Sequence, residues 1–203
     1  YERVISELIS ETAEAVWRTD TIKGKAIKYG IPEGELDKKI EEIKDIFFAE
    51  KEYIPMNVVL LPYRSKIGED EYSICRSSLC AELDERPRLM EKLDRSYFLD
   101  PEVAKTVLKH AFAMERLLEY QNDEDMVRYA LENDGEAIQY VNERFQKDRK
   151  WIRLAIEHSE DSVIMFLNCM APYRTDKEFA YLACSVQRWN FVYINKSFRD
   201  DYD

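Results

Sequence analysis

Four aspartates, Asp100, Asp123, Asp148 and Asp176, punctuate the second half of this 203-residue chain at spacings of 23, 25 and 28 residues. Three, four, seven and eight residues after each stand Val103, Ala104, Val107 and Leu108; Met126, Val127, Ala130 and Leu131; Trp151, Ile152, Ala155 and Ile156; Phe179, Ala180, Ala183 and Cys184. All sixteen are apolar in a chain that is 45% hydrophobic, so chance is not a serious competitor. Those positions make one face of a helix, and an Asp just ahead of the face is placed to accept the unpaired amides of the first turn. A period of this length outranks any short motif, because a unit of one or two short helices buries its stripe only against its neighbours.

A second apolar stripe follows within each unit: Ile138, Val141 and Phe145, then Ile164, Leu167 and Ala171, then Phe191, Ile194 and Phe198. Asn142, Asn168 and Asn195 each follow the middle residue of their set, and Asp134-Gly135 marks the turn between the two helices in one copy. Glu160-Asp161 and Trp189-Asn190 occupy that turn without glycine. The first unit departs most, with His110 to Met114 lacking the turn glycine, and a degenerate half unit precedes it at Met90, Leu93, Asp94 and Tyr97. The register of Asp148-Arg149-Lys150-Trp151-Ile152-Arg153-Leu154-Ala155-Ile156, preceded by Gly135-Glu136-Ala137-Ile138-Gln139-Tyr140-Val141-Asn142, resembles the bacterial repeats catalogued as domain of unknown function 4116. The resemblance covers roughly residues 100–199 and implies a repeat scaffold, with no activity, ligand or catalytic residue to carry over.

Five Gly and six Pro make up about 5% of the chain against an average near ~12%, and that scarcity of chain breakers favours helices. The expected fold is therefore all-α: a short α-solenoid of helical hairpins over residues 96–203, preceded by an N-terminal helical region over 1–95. In that region Val4, Ile5, Leu8, Ile9, Ala13, Val16 and Trp17 form one amphipathic stripe with an acidic polar face. A second helix from Ile22 to Tyr29 stops at Gly30 and Pro32, and a third runs through Leu36, Ile40, Ile43 and Phe47. The outline is that of a DNA-binding helix pair, but residues 33–51 hold seven acids and four lysines, a net −3 that phosphate would repel. Residues 53–80 read as an irregular connector, in which the run Ile54 to Pro62 is either a short strand or an extended segment packed across helices.

A formal charge of −11 is the wrong sign for nucleic acid or an anionic membrane surface, so neither is an expected partner. Cys75, Cys80, Cys169 and Cys184 are too scattered for a disulfide framework, which points to reduced thiols and a cytoplasmic setting. His110 and His158 lie outside any Cys-rich knuckle, so no structural metal is expected. No apolar run reaches the ~20 residues of a membrane span. The chain opens on Tyr1, from which a trimmed N-terminus is expected. No Gly-x-Gly-x-x-Gly, P-loop, metal-ligand helix or nucleophile elbow is present, and no cofactor is expected.

Among chemistry-bearing residues, Glu69, Asp70 and Glu71 read as a solvated charge run, and His158-Ser159-Glu160-Asp161 as a cap or turn, since triad members meet from distant positions. Trp17 and Trp151 fall on apolar stripes. Trp189 falls at a turn beside Arg188 and near Phe191, where an exposed aromatic and a cation would anchor a partner. The expected function is thus a protein–protein interaction or adaptor module, with Arg188, Trp189 and Phe191 as partner-binding residues and a protein partner or self-association implied. The rival expectation is an enzyme with an acid–base site near Tyr63, Arg64 and Glu71. Asp200 stands in register 24 residues after Asp176, and the aromatic density of the last hairpin calls for a cover: N-terminal helices, a second copy or a further segment.

Overall fold

The computed structural model describes residues 19–50, 54–159 and 173–199, and among these every regular element is helical. The fold is all-α. The stripe at 4–17 with Trp17, the stripe Ile164 to Ala171 with Asn168 and Cys169, and Asp200 lie outside the described residues. The chain divides into two compact units, Tyr1–Thr106 and Val107–Asp203.

In the first unit, α1 (19–28) buries Ile22 and Ala26 and ends where Gly30 takes φ 63°, with the Ile31 N–H donating back to the Ala26 carbonyl at 3.0 Å. A Cβ is strained in that left-handed conformation, which is why glycine closes the helix. After Pro32, α2 (Glu33–Glu50) buries Leu36, Ile40, Ile43 and Ile46 on one face. The apolar run that sequence left open between strand and extended segment is a 3-10 helix, Met56–Tyr63, lying against α2 and α3 (Glu69–Glu85). A continuous apolar run suits any fully buried backbone, and with helices on its flanks and no strand among the described residues to pair with, it closes its hydrogen bonds locally. The connector also ends earlier than residue 80, because α3 begins at Glu69; Glu69, Asp70 and Glu71 occupy its first turn, where the helix dipole favours acids.

Short helical turns precede Asp100. A 3-10 turn, Pro87–Glu91, leads to Asp94, whose carboxylate accepts the Ser96 N–H at 3.0 Å and heads a second 3-10 turn, Arg95–Leu99. Met90, Leu93, Asp94 and Tyr97 each stand 48 residues before Ile138, Val141, Asn142 and Phe145, and the apolar members of both sets are buried. Asp100 then caps α4 (Pro101–Val107) through the N–H groups of Glu102 and Val103, at 2.7 and 3.2 Å.

The second unit runs α5 (Ala111–Arg116), α6 (Glu124–Asn133), a 3-10 turn Gly135–Gln139, α7 (Glu143–Gln146), α8 (Arg149–Glu157), α9 (Lys177–Val186), a 3-10 turn Arg188–Val192 and α10 (Lys196–Arg199). Asp123, Asp148 and Asp176 cap α6, α8 and α9 as the register predicts, and all sixteen stripe residues are buried. The expected second helix of each hairpin is instead broken in two wherever it is described. Asn142 and Asn195 accept the amides of Arg144 and Ser197, both at 3.1 Å, and this local side-chain bond competes with continuation of the helix. Two residues ahead of Asp123 and Asp148, the Gln121 and Gln146 side-chain amides reach back to the carbonyls of Met114 and Gln139, seven residues earlier; Arg199 makes the same reach to Val192.

Within the second unit, Gly135 lies hard against the C-terminal end of α8. Its N–H donates to the His158 carbonyl at 3.0 Å, and a Cβ there would come within 2.0 Å of the Ala155 carbonyl oxygen. Backbone cannot yield as a side chain can, so Gly135→Ala should lower stability by about 1–3 kcal/mol in urea denaturation. Gly34→Ala, in the first turn of α2 with open space around the added carbon, should instead raise it by up to about 1 kcal/mol.

Candidate functional site

Two places stand out, one in each unit. In the first, the end of Met56–Tyr63, the start of α3 and the Arg95–Leu99 turn enclose a cleft of about 560 Å³, lined by Leu61, Pro62, Arg64, Ser65, Glu69, Tyr72, Ser96, Tyr97, Leu99 and Asp100. At its base the buried Tyr72 hydroxyl donates to Asp100 Oδ2, while Asp100 Oδ1 accepts the two amides of α4. Arg64 and Arg76 lie over the Tyr72 ring, with guanidinium carbons 4.7 and 5.6 Å from its centroid. Burial, and then the hydrogen bond to Asp100, push the Tyr72 phenol up to about 12, so it stays protonated and donating at neutral pH. Asp100 is thereby committed three times over, to a phenol and two amides. This makes it a fixed anchor between α3 and α4 rather than a free general base.

The residues named for an acid–base site do not meet there. Arg64 lines the cleft, but Tyr63 does not, and Glu71 is held by Lys25 of α1 at 2.9 Å. Burial, with the charge of Glu35, raises the Tyr63 phenol as well. Tyr72 and Asp100, which build the cleft floor, were not singled out together: Asp100 stood out as a cap, and nothing in the sequence says that a tyrosine 28 residues earlier shares its carboxylate.

In the second unit the terminal 3-10 turn presents Arg188, Trp189 and Phe191 at the surface. Trp189 is 77% exposed and Val192 is 56% exposed, and one 3-10 turn separates them, so their side chains lie on one side. Phe191 and Tyr193 are also exposed, and Val186 adds to them from the end of α9. In the last hairpin Ile194 is 6% exposed and Phe191 36% exposed. Scattered apolar side chains on a surface are ordinary, but consecutive ones at a turn form a patch.

The remaining candidates are structural. His158 follows α8 and accepts the Gly135 amide through its carbonyl, while Glu160 and Asp161 lie outside the described residues. Trp151 is buried against the edge of Phe145, ring centroids 5.0 Å apart. Cys75, Cys80 and Cys184 are free, and burial raises each thiol, Cys75 to about 12, which keeps them protonated and unreactive. Among the described residues no group of three His, Cys, Asp or Glu could hold a metal ion, and no helix is long and apolar enough to cross a membrane. Compared with known proteins, the chain matches no family model, no curated protein and no solved structure.

Tyr72→Phe should lower the urea midpoint, with a loss of about 1–3 kcal/mol for a buried carboxylate deprived of one of its three donors and no change in slope. A second test is in acid. Lys39 first, then Ser96, hold the Asp94 carboxyl down at about 2. A depressed folded-state value contributes stability at and above the ordinary carboxylate pKa near ~4, and that contribution fades as pH falls through about 2. Asp94→Asn should therefore flatten the acid limb of the stability curve between about pH 4 and about pH 2, leaving pH dependence above it unchanged.

Proposed function

We propose that this chain is a protein–protein interaction module whose binding face is the terminal turn Arg188–Val192. The observation that carries the reading is the exposed run of Trp189, Phe191, Val192 and Tyr193 beside Arg188, the combination of large aromatics and a guanidinium that anchors protein interfaces. Three further features support it. Glu132, Glu157 and Ser185, nine residues after their capping aspartates, are exposed and differ from unit to unit, as recognition surfaces on helical repeats do. The likeness of residues 100–199 to the bacterial repeats of domain of unknown function 4116 belongs to the same reading, as do the free thiols, which suit a reducing compartment. An acid–base enzyme is less well supported, because Tyr63, Arg64 and Glu71 do not converge.

A photo-crosslinking residue at position 189, expressed in the full chain, tests the reading against one at position 27, where Ile27 is equally exposed but isolated on α1. One discrete adduct at 189 that Phe191→Asp abolishes is the expected outcome. Equal labelling at both positions, or none at 189, would overturn it. Trp189→Ala should itself shift stability by no more than about 0.5 kcal/mol, since an exposed side chain has little packing to lose.

A further inference from the structure

The cleft of the first unit is lined by hydrogen-bond donors that lack acceptors among the described residues. Tyr97 lines it and is fully buried, and its hydroxyl has no hydrogen-bond partner. Burial first, then the charges of Glu42 and Asp94, push this phenol well above its ordinary range, so it keeps its proton and acts as a donor. Neither carboxylate serves it. Glu42 accepts the Asp94 N–H at 2.7 Å and pairs with Lys39 at 3.4 Å, while Asp94 pairs with Lys39 at 2.7 Å and accepts from the amide and hydroxyl of Ser96. A buried donor without an acceptor is costly, and such an orphan in a folded protein marks a place for a group that the chain does not supply.

Arg64 is the second donor. It lines the same cleft and is exposed, with its guanidinium resting over the Tyr72 ring at 4.7 Å, and among the described residues no carboxylate pairs with it. The two acids of the lining differ in what they have left to offer. Asp100 is taken by the Tyr72 hydroxyl and two amides of α4, with Arg76 3.9 Å away. Glu69, exposed in the first turn of α3, is paired with no described cation and keeps a negative charge in the cleft. Leu61, Pro62 and Leu99 supply apolar wall, and Leu99 is 66% exposed. At about 560 Å³ the cleft has the size of small-molecule sites, on the order of 300–1,000 Å³.

We propose that this cleft binds a small monocarboxylate with an apolar body, its carboxylate accepting from the Arg64 guanidinium and the Tyr97 hydroxyl and its body lying against Leu61, Pro62 and Leu99. Donors without acceptors call for an acceptor, and a planar guanidinium is matched by a planar carboxylate. A single negative charge is offset by Arg64. A phosphate or nucleotide brings more, which Glu69 repels, and inorganic phosphate leaves the apolar wall uncovered. An amine gives neither donor anything to bond. The terminal turn Arg188–Val192 belongs to the other unit, so the interface reading stands or falls separately.

Octanoate is the probe, titrated calorimetrically into the full chain in a buffer free of carboxylate and phosphate. Saturable binding at one site is expected, with none for octylamine, which has the same body, or for inorganic phosphate. Arg64→Gln and Tyr97→Phe should each weaken octanoate binding at least about tenfold, the loss of a hydrogen bond to a charged group. Arg64→Gln alters an exposed side chain, and Tyr97→Phe keeps the ring that packs, so both variants keep the fold. Without ligand, Tyr97→Phe should hold or raise the urea midpoint, because it removes a buried hydroxyl that bonds to nothing. No saturable binding of octanoate, equal binding of octylamine, or binding indifferent to either substitution would overturn the proposal. So would a ligand-free midpoint lowered by Tyr97→Phe, since the hydroxyl would then be served by solvent and have no need of a ligand.

Discussion

A helix of seven to ten residues does not hold together in water alone, because nucleation costs more than so few hydrogen bonds return. The helices α4, α6, α8 and α9 are 7, 10, 9 and 10 residues long. Each exists because its four-residue apolar stripe is buried and its capping Asp accepts amides that the first turn leaves open. Such a cap is worth about 1 kcal/mol, whereas burying a single large apolar side chain is worth about 1.5–3 kcal/mol, so burial dominates and the cap sets where the helix starts. In the second unit that burial is supplied by the adjoining repeat, and the closeness of Gly135 to Ala155 measures how tightly.

The turn Arg188–Val192 contrasts with Gly135–Gln139, whose Ala137 and Ile138 are fully buried. Ile194 and the stripe of α9 are buried, while Trp189, Val192 and Tyr193 are exposed. The proposed interaction face draws on these exposed side chains.

The first unit solves the same problem by another route. Its Met56–Tyr63 helix is largely apolar, burying Met56, Val58, Val59, Leu60 and Leu61, and packs against α2, α3 and the Arg95–Leu99 turn. Asp100 belongs to both schemes: it caps α4 as the repeat register requires, and it also accepts the Tyr72 hydroxyl, tying α3 to α4 by a charged hydrogen bond in a buried place. A buried carboxylate with three donors is satisfied, whereas one left without donors would carry its full desolvation penalty.

What the sequence determined by itself was periodic and local. The aspartate caps, the stripes at three, four, seven and eight, the closing Gly30 and the all-α class were legible because helix geometry repeats every 3.6 residues and capping acts within three. What only the tertiary structure decided was everything that depends on residues distant along the chain. The apolar run Ile54 to Pro62 carries no period that separates strand from helix, so its flanking helices chose the 3-10 form. The second stripe of each hairpin has helical spacing, yet Asn142 and Asn195 break it, because an Asn can point into solvent or cap and only its surroundings select which. Arg64 came into the cleft while Glu71 was drawn to Lys25, since pairing across 46 residues is set by packing that no local pattern encodes. Trp151 and Trp189 are the same side chain, but one is roofed and the other is not: burial is a property of neighbours, and neighbours are what folding supplies.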